Sequence, residues 1–163
     1  MDHLWSPWRY RYLTGEKPPA GHCVFCSMVS ADDDEANLIV HRGQHAFIVL
    51  NRFPYTSGHV MVIPYDHAAD LADIGEPAAT EIMSLTRLVT SQIRKTYRPD
   101  GVNLGMNLGE AAGAGVAGHL HMHVLPRWHG DANFMTTVAE TRILPEELPV
   151  TWQRLRAAFA EIK

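Results

Sequence analysis

The stretch His119-Leu120-His121-Met122-His123-Val124-Leu125-Pro126-Arg127 constrains this chain more than any other. Histidine alternates with an apolar residue, so the period is two. On a β-strand that period sends alternate side chains to opposite faces. Leu120, Met122 and Val124 then share a face that can enter a core, and His119, His121 and His123 share the other. At about 3.3 Å of rise per residue, same-face neighbours stand roughly 7 Å apart. Imidazole titrates near neutrality and serves as base, nucleophile or metal ligand. One strand histidine is ordinarily a satisfied, half-buried residue. Three on one face bring polar nitrogens that all need partners. The competing reading is a solvated polar face or an adventitious metal-binding tract.

The preceding loop, from Gly109 to Gly118, is rich in Gly and Ala. Small residues let backbone N–H groups approach an anion closely, so the loop around Gly113 and Gly115 is a candidate phosphate cradle. A histidine that acts as nucleophile suits phosphoryl or nucleotidyl transfer. Neutral imidazole attacks phosphorus without first losing a proton, and the phosphoramidate it forms breaks readily. Such an attack needs one ring nitrogen bare, so the other should donate to a backbone carbonyl.

With 163 residues, the chain has the length of one domain, and 46% apolar against 20% charged residues is an ordinary globular balance. The net charge of −4 argues against a nucleic-acid polymer or a bilayer surface as partner. No apolar run approaches the ~20 residues of a membrane span. The first residues lack the basic-then-apolar pattern of a secretory signal, so cytoplasm is the expected compartment. The two cysteines, Cys23 and Cys26, are spaced C-x-x-C, which in a cytosolic chain reads as half a metal site or a redox pair.

Residues 1–20 carry Trp5, Trp8, Tyr10 and Tyr12, too much aromatic area to leave in water, and read as an arm packed on the domain or on a partner subunit. Cys23 to Cys26 opens a short segment with room for one helical turn. Asn37 to Arg42 and His45 to Asn51 read as a hairpin turned at Gly43-Gln44. His59 to Pro64 is a third strand, apolar enough to be buried on both faces. Pro77 to Arg98 is one long helix with Ile82, Leu85, Val89, Ile93 and Tyr97 in a stripe. Val102 to Leu108 is a fourth strand, the histidine stretch a fifth, and Val150 to Ile162 a terminal helix with Leu155, Ala158, Phe159 and Ile162 on one side. Hairpin first and helix later predict an α+β fold: a five-stranded, mainly antiparallel sheet with helices on one side.

In this order, the residues from Cys23 to Arg127 resemble the histidine-triad superfamily of nucleotide hydrolases and transferases. The resemblance rests on Cys-x-x-Cys, on Gly58-His59-Val60-Met61-Val62-Ile63-Pro64 with His67 beyond it, on Asn103 and Asn107, and on the triad. Asn51-Arg52 with Pro54 and Gly58-His59, and the ending Val124-Leu125-Pro126-Arg127, look like the dinucleoside-polyphosphate branch, and Leu4-Trp5-Ser6-Pro7-Trp8-Arg9 with the run from Arg127 to Phe134 is similar to bacterial diadenosine tetraphosphate phosphorylases. The resemblance implies an antiparallel five-stranded fold, a single histidine-triad domain over residues 21–163, and a homodimer or larger homo-oligomer. It implies His121 as nucleophile and His123 and Asn107 as contacts to the α-phosphate. Asn51 would reach the ribose hydroxyls, and His59 falls among the nucleotide-binding residues. It implies a structural zinc ion on Cys23, Cys26, His67 and His119. Where many relatives carry a Ser or Thr hydroxyl in the loop, Gly115 stands here, which favours an anionic acceptor, inorganic phosphate, over water, with Arg127 or Arg52 as a further contact. The expected substrate is a dinucleoside polyphosphate. The alternatives are a nucleoside phosphoramidate hydrolase of the same superfamily and a nucleotide-binding regulatory module without turnover.

Overall fold

The computed structural model describes residues 21–31, 33–131 and 145–161. The aromatic arm of residues 1–20, and the run after Asp131 as far as residue 144, lie outside the described residues. Helix α1 spans Val24–Ser30, and the strands are β1 Ile39–Arg42, β2 Ala46–Leu50, β3 Val60–Pro64, β4 Gly101–Met106 and β5 Met122–Arg127. Helix α2, Glu76–Tyr97, links β3 to β4, and α3 is Leu148–Ala160. The sheet order is β1-β2-β3-β5-β4, every neighbouring pair antiparallel. The α+β reading stands, with five strands, one long helix and a terminal helix as expected.

Sequence explains most boundaries. Pro77 sits in the first turn of α2, where its missing N–H costs nothing, and Arg98 ends the helix in a left-handed conformation just before Pro99. The helix buries Ala78, Ile82, Leu85, Val89 and Ile93. Ile82, Leu85, Val89 and Ile93 pack with Val40, Ile48, Leu50, Val60, Val62 and Val124 of the sheet, with Leu120 just before β5, and with Leu155 and Phe159 of α3. At the β1–β2 turn the Glu81 carboxylate accepts the backbone N–H groups of Gln44, at 2.9 Å, and of His45. A Cβ on Gly43 would stand 2.7 Å from that carboxylate, which explains glycine there.

Two expectations need correction. The helices are not all on one side: α2 and α3 cover one face, but Phe25 of α1 packs on the other with Ile39, Phe47, Val49, Met61 and Ile63. The period-two pattern of the sheet predicts two such layers. Second, β5 starts at Met122 and not at His119. Opposite it β3 is ending, where Pro64 has no N–H to give to a ladder. Its carbonyl instead accepts from the His119 ring, and Leu120 N–H turns to Ala68 O at 2.7 Å. The alternation survives this change: Leu120 and Val124 are buried in the core beneath α2.

Candidate active site and metal centre

A row of aromatic rings crosses the sheet face that carries α1. Ring centroids are 5.1 Å apart for His67–His119, 5.4 Å for His119–Phe25, 5.3 Å for Phe25–His121, 4.8 Å for His121–His123, 5.1 Å for His123–His59 and 4.8 Å for His59–Tyr55. The three triad histidines are all buried, at 1% exposure for His119, 6% for His121 and 8% for His123. Their nitrogens are satisfied by different partners, which divides the row into two sites.

At one end, the His119 ring donates from Nε2 to the Pro64 carbonyl at 3.0 Å. A carbonyl only accepts, so this nitrogen holds the proton and Nδ1 is bare. That bare nitrogen lies 3.2 Å from Cys23 Sγ and 3.7 Å from Cys26 Sγ, and His67 Nδ1 lies 3.4 Å from Cys26 Sγ. Both cysteines are free thiols. The four ligand atoms of Cys23, Cys26, His67 and His119 fall within 4.8 Å of one another. A tetrahedral ion with metal–sulfur bonds of about 2.3 Å and metal–nitrogen bonds of about 2.0–2.1 Å sets its sulfur–nitrogen edges near 3.6 Å, so the donors fit. Burial and the neighbouring Cys23 sulfur push the Cys26 thiol up, a condition a bound cation reverses. His22, a possible rival ligand, is turned toward Ser27 Oγ at 3.0 Å.

At the other site, His121 donates from Nδ1 to the His119 carbonyl at 2.8 Å. Its Nε2 lone pair is therefore the bare one, the arrangement nucleophilic attack requires. The tautomer of His123 follows from a relay. Tyr55 N–H donates to His59 Nδ1 at 3.1 Å, so His59 carries its proton on Nε2. That nitrogen donates to His123 Nδ1 at 2.9 Å, which leaves the His123 proton on Nε2 as a donor. Burial first, and then the electrostatic influence of the neighbouring His121 ring, lower the His123 pKa to about 4, so this imidazole is neutral near pH 7. A bare imidazole nitrogen thus stands beside an N–H donor, a pair able to attack an electrophile while holding one of its oxygens.

The remaining predicted residues divide. The Asn51 side-chain carbonyl closes a local turn with Phe53 N–H at 2.9 Å, and its amide lies 3.5 Å from His59 Nε2, a contact between two donors and so no bond. Asn107 follows β4 with its amide 3.5 Å from the Gly113 carbonyl. Gly113 has φ of +92°, which favours glycine, and both Gly113 and Gly115 are exposed on the loop. Arg127, read as a possible phosphate contact, is taken: it makes two 2.6 Å bonds to the Asp131 carboxylate and one of 2.9 Å to Asn103 Oδ1. Arg52 donates to the Ala36 carbonyl at 3.1 Å. Sequence reasoning missed Gly105, which pairs with His123 across the β4–β5 ladder and has open space where a side chain would be. It also missed Phe25.

The His123 value carries a stability prediction. Its folded pKa lies below the ~6.5 of an unfolded histidine, so between those values only the unfolded chain binds the proton. The stabilisation is complete above pH 6.5 and is lost as pH falls toward 4, on the order of 3 kcal/mol in all. Urea unfolding of wild type and His123→Gln from pH 7.5 to 4 should show the steeper loss in wild type; parallel curves refute the assignment.

A family model described as the HIT domain matches residues 33–130. An AP-4-A phosphorylase from Mycobacterium tuberculosis is 37% identical over 167 residues, covering 98% of this chain and 85% of the relative. The crystal structure of a Zn-bound histidine triad family protein from Mycobacterium smegmatis aligns with a TM-score of 0.70 at 30% identity, covering 86% of this chain and 94% of that one. A Plasmodium falciparum diadenosine triphosphate hydrolase, solved with Cyclomarin A, shares the fold at a TM-score of 0.63 and 15% identity, over 80% of this chain and 78% of that one.

Proposed function

The chain belongs to the HIT domain family, and from that premise we propose that it is an enzyme cleaving dinucleoside polyphosphates through a nucleotidyl intermediate on His121. The observation that carries this is the 2.8 Å bond from His121 Nδ1 to the His119 carbonyl, which leaves Nε2 bare. In the first step Nε2 forms a bond to the α-phosphorus, and the bond from that phosphorus to the departing nucleotide's bridging oxygen breaks. His123 Nε2–H holds a non-bridging oxygen, Asn107 and the backbone around Gly113 and Gly115 add donors, and Asn51 meets the ribose. His59 acts through His123, whose proton it places. In the second step an acceptor oxygen bonds to phosphorus, the nitrogen–phosphorus bond breaks with its electron pair returning to Nε2, and His121 is again the neutral imidazole with its proton on Nδ1.

The acceptor is inorganic phosphate in preference to water. Support comes from the loop, which has no hydroxyl side chain between Gly113 and Gly118, and from the similarity to the phosphorylase. The engaged Arg127 and Arg52 lend nothing to it. Adding phosphate to an assay with diadenosine tetraphosphate should raise the rate and yield ADP and ATP. AMP and ATP alone, at a phosphate-independent rate, would assign water instead. A nucleoside phosphoramidate assayed alongside separates the superfamily alternative, and absence of any turnover favours a binding module.

The metal is zinc in a structural role: four protein ligands close a tetrahedral shell and leave no position for a reacting water. When bound, it cross-links α1 to the segment before β5. The reduced Cys23–Cys26 pair suits the cytoplasm. The protein works as a homodimer. Among the described residues, α3 covers the β1 edge, with Trp152 Nε1–H on Ile39 O at 3.1 Å and Arg156 on Val40 O at 2.7 Å. No described residue covers the β4 edge in this way, and Leu104 on it is 51% exposed. Light scattering at micromolar concentration should give twice the chain mass or more; a monomer refutes the dimer.

A further inference from the structure

We infer that Phe25 is a positioning residue that couples the Cys23/Cys26/His67/His119 cluster to the orientation of His121. The inference rests on the reading of His121 as nucleophile. Two restraints hold the His121 ring. One is the hydrogen bond to a backbone carbonyl, and that carbonyl belongs to His119, a member of the cluster. A ring held at one nitrogen still swings about that bond. The other is packing: His123 lies at 4.8 Å on one contact and Phe25 at 5.3 Å on another. Phe25 lies between the two cysteines and makes an edge contact to His119 at 5.4 Å. Both the hydrogen bond and this buttress therefore originate in the ligand cluster.

Phe25 is 4% exposed, so its ring is fixed in a core and does not reach solvent. Its helix, however, has seven residues and no side-chain N-cap. A helix this short does not hold itself, and its place depends on what it is tied to. Tying Cys23 and Cys26 to the two histidines through one ion fixes the ends of the segment and, with them, the Phe25 ring. Attack on phosphorus needs the Nε2 lone pair in line with the departing oxygen, and small misplacements of a nucleophile cost one to two orders of magnitude. The C-x-x-C segment thus sets the aim of His121 without touching substrate.

Phe25→Leu keeps an apolar residue in the core, and zinc content by elemental analysis should stay at the wild-type level. In the zinc-loaded variant kcat for diadenosine tetraphosphate should fall about ten- to a hundredfold with KM within about twofold. Stripping zinc from wild type should lower kcat similarly, and stripping it from the variant should add little, because the His119 ring stays held by the Pro64 carbonyl and both changes remove the same Phe25 buttress. Wild-type kcat in Phe25→Leu, or losses that multiply, would overturn the coupling. Should Phe25→Leu lose zinc or unfold, Phe25→Met takes its place, and zinc-free wild type that keeps full kcat overturns the inference by itself. A second readout needs no turnover: the ring NMR signals of His121, identified by their absence in His121→Asn. They should be single and narrow in zinc-loaded wild type, and broadened or doubled in zinc-free wild type and in loaded Phe25→Leu. Narrow signals in all three sink the coupling, whereas a wild-type protein inactive on the dinucleotide sinks the proposed reaction.

Discussion

His121→Asn should fold, bind zinc, and lose turnover by about 10⁴-fold or more, the size of loss seen when a nucleophile is removed. Asparagine fills similar space and can offer its amide N–H to the His119 carbonyl, so the bond that orients position 121 has a substitute. What it cannot do is form a bond to phosphorus that later breaks. The residual rate is what donors and proximity supply alone. His123→Gln should lose far less, because it removes one oxygen contact and leaves the attacking nitrogen in place. Wild-type enzyme quenched within a turnover should carry one nucleotide per active chain, and His121→Asn none. A variant retaining a tenth of wild-type rate would place the nucleophile elsewhere.

The second large effect is on stability. An ion that binds the folded chain and not the unfolded one, present at a thousand times its Kd, contributes about 4 kcal/mol. For a chain of this size that is roughly 8–16 °C in Tm. Calorimetry of zinc-loaded protein, of protein stripped by chelator, and of Cys26→Ser should show the last two melting together and well below the first. Cys26 is the discriminating choice, since its sulfur lies within 3.4 Å of His67 and 3.7 Å of His119, so its loss opens the shell toward both histidines. A stripped protein with an unchanged Tm would show that the cluster holds no stabilising ion.

Periodicity made the sheet legible. The apolar runs of β2 and β3, the stripe on α2 and the turn at Gly43-Gln44 all lie within short windows of sequence, and local pattern predicted each of them. The grouping of Cys23, Cys26, His67 and His119 was legible only through resemblance, because the ligands come from segments up to 96 residues apart. The relay from Tyr55 through His59 to His123 is also long-range. It exists because β3 runs antiparallel to β5 with Met61 opposite His123, a register no single strand encodes. Pro64 is the instructive miss: its effect on the ladder appears not in its own strand but in the partner, where it delays β5 to Met122. Phe25 looked like one more apolar residue of a short helix, and what distinguishes it is which rings it meets.

The order of strands in space has a consequence for how the chain is made. Among the described strands β5 is the last synthesised, yet it lies between β3 and β4, two strands already released by the ribosome. Until Met122 to Arg127 emerge, the buried apolar strand β3 has an unfilled side and β4 has no neighbour in the final sheet. A nascent chain of this sequence therefore carries an open, sticky strand edge from the release of β3 until β5 follows, the kind of surface that recruits chaperones or pairs with other chains. The piece that closes the gap is the same piece that brings His121 and His123. Reactivity and closure thus arrive together, and a prematurely terminated chain is left aggregation-prone but chemically silent.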